Sequence, residues 1–403
     1  MLKSLEIDNF KSLCKFKIEF SPLTVLIGNN AVGKSSVLHA IGFLAHFAEG
    51  NMKEFLNKRN WSPFELKSKH YHPSKRNISF TSVFSLENDY NLRWEFTLTA
   101  RKENDDLQCV REKITDLDSE KVLLSREIKK MTWFDFSKNQ YDVFPEIQLY
   151  GSMLSLIENE DKSIERFPHL LHLKKFIKGI ESFELLSPEK MKKTSRFDAA
   201  DLGIGGERLG AFLHSLTTEQ RNEIDNKVKE LYPYLDKVIT WKKQYGHIHL
   251  QINEFYGETG SYAINSNYIS DGLLRIIAIV SLGALSKDYT TLLLDEIEDG
   301  INPSLAADLI NYLSIIGQKQ NKQILVTTHS PVMLNYFNKD SIVFLWKGQD
   351  GITQADKMFE SPEMIDHLRF MNPGEVWLNF ESKDIEDSLL KWKKTVSGGE
   401  DAD

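Results

Sequence analysis

The sequence predicts an α/β fold whose parallel sheet is assembled from the two ends of the chain. Three apolar runs, at residues 23–27, 290–294 and 324–328, are continuous rather than alternating, as in strands covered on both faces. Each run ends in a short polar motif: Gly28-Asn-Asn-Ala-Val-Gly-Lys-Ser35, Asp295-Glu296 and His329-Ser-Pro331. After the first motif, apolar residues recur at Val37, Leu38, Ile41, Leu44 and Ala45, which is helical spacing.

The elements follow in order. Met1-Leu-Lys-Ser-Leu-Glu-Ile alternates like a strand and begins a hairpin with Asn9-Phe-Lys-Ser12 at its tip. Residues 1–50 and 235–355 are expected to form one split head. Between them, residues 75–135 are expected to form an antiparallel lobe. Its strand-like stretches lie at 77–86, 91–99, 107–117 and 121–130, with turn signals at Glu87-Asn-Asp and Lys102-Glu-Asn-Asp-Asp. Residues 150–234 read as a helical insertion, from apolar spacing at 154–157, 170–180, 207–216 and 219–231. Ile239, Trp241, Ile248, Leu250 and Ile252 then return to strand spacing. No heptad persists long enough for a coiled coil. Residues 373–403 read as one amphipathic segment with an acidic end, Ser397-Gly-Gly-Glu-Asp-Ala-Asp.

Composition narrows the class. The chain has 403 residues, 41% hydrophobic and 27% charged, ordinary for a globular protein of two or three domains. A bilayer span needs roughly 18–20 apolar residues. The longest candidate, 273–285, is shorter and contains Arg275 and Ser281. There is no secretory apolar region at the start, so a cytoplasmic protein without a membrane partner is expected. Cys14 and Cys109 are too few for a disulfide framework and read as buried thiols. A net charge of −8 excludes a globally basic nucleic-acid binder. It leaves local basic runs, the densest being Lys190-Met-Lys-Lys-Thr-Ser-Arg196 and the next 67–76.

The motifs carry the chemistry. G-x-x-x-x-G-K-S between strand and helix is a phosphate-binding loop. Its glycines allow a sharp turn, so that the N–H groups point inward and the helix N-terminus adds positive charge. Asn29, Asn30, Ala31, Val32, Gly33 and Ser36 line this cradle with Lys34 and Ser35. Lys34 would reach the β and γ phosphates, and Ser35 would place its hydroxyl on Mg²⁺. Asp295 would complete the Mg²⁺ shell and Glu296 would orient the attacking water. His329, ending a buried strand, could hydrogen-bond the γ-phosphate or that water. Ser270-Asp-Gly-Leu-Leu-Arg275 opens an apolar helix. Its hydroxyl and free N–H groups suit an anion, and they also suit an ordinary N-cap.

Taken together with Glu298-Asp-Gly-Ile-Asn-Pro303, these segments resemble the ABC-type ATPase heads of the RecF, OLD and SMC-like group. They look most like the bacterial RecF/OLD-like AAA family ATPases. The resemblance covers the two ends of the chain. A weaker likeness runs through Asp201-Leu-Gly-Ile-Gly-Gly-Glu-Arg-Leu-Gly-Ala-Phe-Leu213. It implies an α/β ABC-type P-loop ATPase head with an antiparallel β lobe and a helical insertion. It also implies ATP and Mg²⁺ as cofactors and a homodimer, or a higher oligomer of dimers. Each copy would lend Ser270 and Gly272 to the other's nucleotide. Lys11 and Ser12 would contact the nucleotide in their own copy, and His329 would act as the switch histidine.

Two departures stand out. The signature begins Ile269-Ser-Asp-Gly where Leu-Ser-Gly-Gly is usual, so Asp271 brings negative charge toward phosphate. Lys11 stands where arginine is more usual. The glutamine loop is not placed: Gln148, in Glu146-Ile-Gln-Leu, lies at a suitable distance, but no local motif marks it. Relatives of this short form are commonly anti-phage components acting with a separately encoded nuclease or toxin, and some engage nucleic acid. Too few residues follow the apolar run 342–346 for a nuclease domain of the OLD kind. The alternative expectation is a slowly hydrolysing ATP-gated scaffold that holds an effector.

Overall fold

The computed structural model describes residues 1–397 apart from 73, 74, 76, 88, 89, 100–106, 128, 129, 146, 148, 159, 185, 186, 196 and 197. The chain opens with β1 (Leu2–Asp8), β2 (Phe16–Glu19), β3 (Leu23–Ile27) and the helix Lys34–Glu49. Six strands follow: β4 (Asn77–Ser85), β5 (Asn91–Thr99), β6 (Gln108–Asp116), β7 (Val122–Glu127), β8 (Lys130–Asp135) and β9 (Gln140–Pro145). They join β1 and β2 in one antiparallel sheet of order β2-β1-β4-β5-β6-β7-β8-β9. The lobe is therefore wider than 75–135, because the first hairpin and β9 belong to it. The turn expected at 102–106 lies outside the described residues.

The stretch read as a helical insertion contains a strand. β10 (Ile180–Phe183) comes between the helices Pro168–Lys178 and Leu209–Ser215. Farther on lie β11 (Leu235–Lys242), β12 (Ile248–Phe255) and β13 (Ser261–Asn265), a separate antiparallel sheet inside the range expected for the head. β14 (Thr291–Leu294), β15 (Gln323–Thr327), β16 (Ile342–Lys347) and β17 (Thr353–Lys357) complete the fold's centre. The central sheet has the order β10-β14-β15-β3-β16-β17 and is parallel except for β17. β10 pairs along β14, from Ile180 opposite Thr291 to Phe183 opposite Leu294. Its sequence, Ile-Glu-Ser-Phe, continues a helical spacing. Only the pairing with β14 identifies it as strand.

The parallel strands are buried on both faces, as their apolar runs require. Val25, Ile27, Leu292, Leu294, Ile324 and Val326 point into one core, under the helices Asp271–Ser281 and Ala306–Gln320. Leu26, Leu293 and Leu325 point into the other, which holds the helix Lys34–Glu49 and the antiparallel sheet. Aromatic rings join helix to sheet: Phe47 lies 4.1 Å from Phe96 and 5.5 Å from Trp94. Phe43 lies 5.8 Å from Phe80, whose ring meets Phe10 of the first hairpin at 5.5 Å.

The C-terminal segment is two helices rather than one. Pro373–Asn379 and Ser382–Ser397 are separated at Phe380, which is extended. The first helix is stopped there and the second starts at Ser382. The acidic end beyond residue 397 lies outside the described residues. Among the described residues, no helix is long and apolar enough to cross a membrane. Cys14 and Cys109 are both buried free thiols.

One buried carboxylate fastens the lobe to the rest. Glu112 on β6 accepts hydrogen bonds from Trp94 Nε1 at 2.9 Å, the Met153 amide at 2.8 Å and the Ser152 hydroxyl. The Ser152 amide in turn donates to the Phe47 carbonyl at 2.9 Å. Sheet, exit segment and helix thus meet at a single acid. Replacing it with alanine strands three buried donors, a loss of about 3–5 kcal/mol at roughly 1–3 kcal/mol for each unsatisfied group. Urea unfolding of Glu112→Ala should show that loss, with Glu112→Gln closer to the parent. A loss below about 1 kcal/mol for Glu112→Ala would contradict this role.

Candidate nucleotide site

The carboxyl ends of parallel strands are where open α/β sheets hold ligands. Here β3 leads into the glycine loop, β14 into Asp295 and Glu296, and β15 into Thr328 and His329. Three neighbouring strands of one sheet bring these motifs to one edge.

The loop is a built cradle. Gly28 has φ +137, and a Cβ there would lie 2.1 Å from the Leu345 carbonyl oxygen of β16. Gly33 has φ +112, and its Cβ would meet Ser12 Oγ at 2.7 Å and Thr353 Oγ1 at 2.9 Å. Both positions therefore require glycine. Thr353 Oγ1 donates to the Val32 carbonyl at 2.7 Å, so β17 braces the loop from behind. Asn29, Asn30 and Ala31 form the exposed crest, while Val32 is buried. Ser35 and Ser36 stand half-buried in the first helical turn, where amides lack intrahelical partners.

Lys34 is buried, 6% exposed. Its ammonium donates to the Gly28 and Asn29 carbonyls at 2.9 and 3.1 Å. Burial lowers its pKa to about 8, opposed by the nearby charges of Asp295, Glu296 and Glu298. A buried cation faced by three acids and a ring of amides is chemically suited to a polyanion carrying its own metal.

The acids are held by the neighbouring strand. Thr327 donates its hydroxyl to Asp295 Oδ1 and accepts the Glu296 amide at 2.8 Å. Glu296 has φ +46, a left-handed conformation that costs a non-glycine residue about 1–2 kcal/mol. Its pKa is raised, first by burial and then by Asp295 and Glu298, with Lys34 opposing. His329 is joined to the same group: its backbone amide donates to Glu298 Oε1. Burial lowers the His329 pKa, and Lys34 lowers it further, against Glu298 and Asp295. Lys34, Asp295, Glu296 and His329 thus share one electrostatic neighbourhood.

Lys11 and Ser12 approach from the hairpin. Ser12 Oγ is buried with no hydrogen-bond partner among the described residues, beside Gly33. Lys11 stands 3.0 Å over the Trp61 ring, and its pKa is lowered to about 8 by burial and then by Arg59. Arg59 pairs with Glu184 at 3.1 Å, just after β10. Gln148 lies outside the described residues.

Ser270 and Gly272 belong to a different element. Ser270 is the N-cap of the helix Asp271–Ser281, accepting the Leu273 amide at 3.4 Å, and it is exposed. A Cβ on Gly272 would lie 2.3 Å from the Gly300 carbonyl oxygen. Arg275 donates to both the carbonyl and the carboxylate of Asp299. The signature helix is therefore clamped to the loop that follows Glu296.

Four contributors were not singled out in the sequence: Thr327, Thr353, Arg59 and Glu184. Thr327 lies within the strand that ends in His329, and Glu298 opens the Glu298–Pro303 motif. Thr353, Arg59 and Glu184 reach the site through the fold alone. The C-terminal segment arrives the same way. A cavity of about 690 Å³ is lined by Asn29, His329 and Pro331 together with residues 377–383.

Comparisons with known proteins identify the family and the fold. The family described as "AAA domain, putative AbiEii toxin, Type IV TA system" matches residues 23–335. The chain is 21% identical over 386 residues to "Retron Vc95 probable ATPase" of Vibrio cholerae serotype O1 biovar El Tor, covering 85% of this chain and 72% of that protein. It is also 21% identical over 356 residues to "ATP/GTP phosphatase" of Helicobacter pylori, covering 82% and 85%. In fold it is similar to an Smc head solved bound to the C-winged helix domain of ScpA. The TM-score is 0.53 and the identity 15%, over 88% of this chain and 96% of that one. With a parallel sheet ending in these motifs and the family model matched over residues 23–335, the chain belongs to that AAA-domain family, a P-loop ATPase with the fold of the SMC heads.

Proposed function

We propose that this protein binds and hydrolyses ATP as a nucleotide-gated pair of identical chains. The observation that carries the reading is the meeting of Lys34, Asp295, Glu296 and His329 at the ends of three adjacent strands. Lys34 holds the β and γ phosphates while the loop amides neutralise their charge. Ser35 and Asp295 would hold Mg²⁺ through oxygen, the donor type this hard cation prefers. When bound, the metal would offset the charge of the phosphates. Glu296, with its raised pKa, orients the attacking water and accepts its proton. His329 donates to the γ-phosphate. Catalysis is then positioning and charge stabilisation.

The second chain enters because Ser270 is exposed and Gly272 half-buried at the start of a helix that the fold attaches to the Asp299–Gly300 loop. Each copy presents them to the other's γ-phosphate. The glycine loop and the signature are thereby coupled through the loop after Glu296, so that hydrolysis in one copy is felt at the interface. We further propose that the pair serves in bacterial anti-phage defence, in the cytoplasm, with a separately encoded effector. The likeness to the retron ATPase supports that assignment. Identification of the effector would follow from co-purification with the products of neighbouring genes.

Two experiments test the chemistry. Lys34→Ala should lose ATP binding, whereas Glu296→Gln should bind ATP near the parental affinity and lose turnover by about 100-fold or more. Parental turnover in Glu296→Gln would overturn the role of Glu296. Mixing inactive Lys34→Ala with inactive Ser270→Arg protein should restore turnover, because one of the two sites in a mixed pair is complete. If mixed pairs form and stay inactive, the exchange of Ser270 between copies is wrong.

A further inference from the structure

The signature of this chain carries a carboxylate where the anion is meant to dock, and the structure supplies its counter-charge. Lys192 Nζ donates to Asp271 Oδ1 at 2.8 Å, with Lys192 partly buried and Asp271 mostly exposed. The lysine is placed firmly. Its amide donates to the Pro188 carbonyl at 3.0 Å, its carbonyl accepts the Ser266 hydroxyl at 3.1 Å, and Met191 beside it is fully buried. The middle of the basic run 190–196 is therefore fastened to the signature from a point nearly eighty residues upstream. Tyr268, two residues before Ser270, is 81% exposed.

An aspartate in the first turn of a helix favours the helix through its dipole. The same charge opposes a phosphate arriving at that turn. A lysine paired to the aspartate removes the conflict, because the pair is neutral and the helix N-terminus is again free to face an anion.

We infer that Lys192 is a positioning residue that neutralises Asp271, so that the Ser270–Gly272 turn of one copy can close on the nucleotide phosphates held by the other. The inference rests on the two-chain reading above. Lys192 contributes no chemistry at the reacting atoms; it sets the charge of the turn that meets them.

The test is a double-mutant cycle read in protein concentration, with specific ATPase activity measured at saturating ATP and Mg²⁺. Lys192→Ala should raise the concentration giving half-maximal activity by about tenfold, the effect of uncovering one carboxylate beside a phosphate. Lys192→Arg should restore it. In an Asp271→Gly background, which removes the carboxylate, adding Lys192→Ala should change that concentration less than about twofold. A merely structural lysine would give the same loss in both backgrounds, and that additive result would overturn the inference alone. A parent protein whose specific activity does not vary with concentration would overturn the two-chain reading, and the inference with it.

Discussion

The helix that follows the glycine loop is held between two sheets, and the rest of the architecture depends on that contact. Eleven of its sixteen residues are buried, more than the single apolar stripe of a surface helix. One side packs on the parallel strands through Leu293 and Leu325. The other packs on the aromatic face of the antiparallel sheet, where Phe43 and Phe47 meet Phe80, Trp94 and Phe96. The helix cannot tilt without opening its packing against one sheet or the other. Its N-terminus, and with it the cradle formed by residues 28–35, is therefore fixed relative to β14 and β15. The antiparallel lobe is thus not an appendage. It forms the outer jaw that aims the loop.

Charge at the site follows from this rigidity. Asp295, Glu296 and Glu298 crowd around one buried ammonium: Thr327 donates to the Asp295 carboxylate and accepts the Glu296 backbone amide, and the His329 amide donates to Glu298. An arrangement with more acid than base is unfavourable on its own. A bound Mg²⁺ would offset the acids, while Lys34 and the loop amides would face the phosphate oxygens. The left-handed backbone of Glu296 belongs to the same account, since strain of this kind persists only where the surroundings fix it.

Much of the site was legible in the sequence because its chemistry is local. A glycine loop needs glycine at Gly28 and Gly33 for reasons of backbone space, and a buried strand must be apolar up to its polar end. Such requirements leave continuous signatures. The fold class was legible for the same reason. What stayed hidden depends on distant pairing. β10 reads as the end of a helix and is strand only because β14 lies beside it. The first hairpin looks like part of the head and joins the lobe through β1 pairing with β4. Lys192 looks like one residue of a solvated basic run, yet it is anchored to a helix seventy-nine positions away in sequence. Thr353 and residues 377–383 reach the loop across the fold, with no nearby motif to announce them.

The central claim is that one nucleotide is shared by two chains, held by the glycine loop of one and the signature of the other. The most direct measurement is a structure of the Glu296→Gln protein with ATP and Mg²⁺. Two chains face to face are expected. Lys34 of one copy should contact the β and γ phosphates, with Ser270 and Gly272 of the other within hydrogen-bond reach of the γ-phosphate. Nucleotide bound at Lys34 with Ser270 of both copies facing solvent would contradict it.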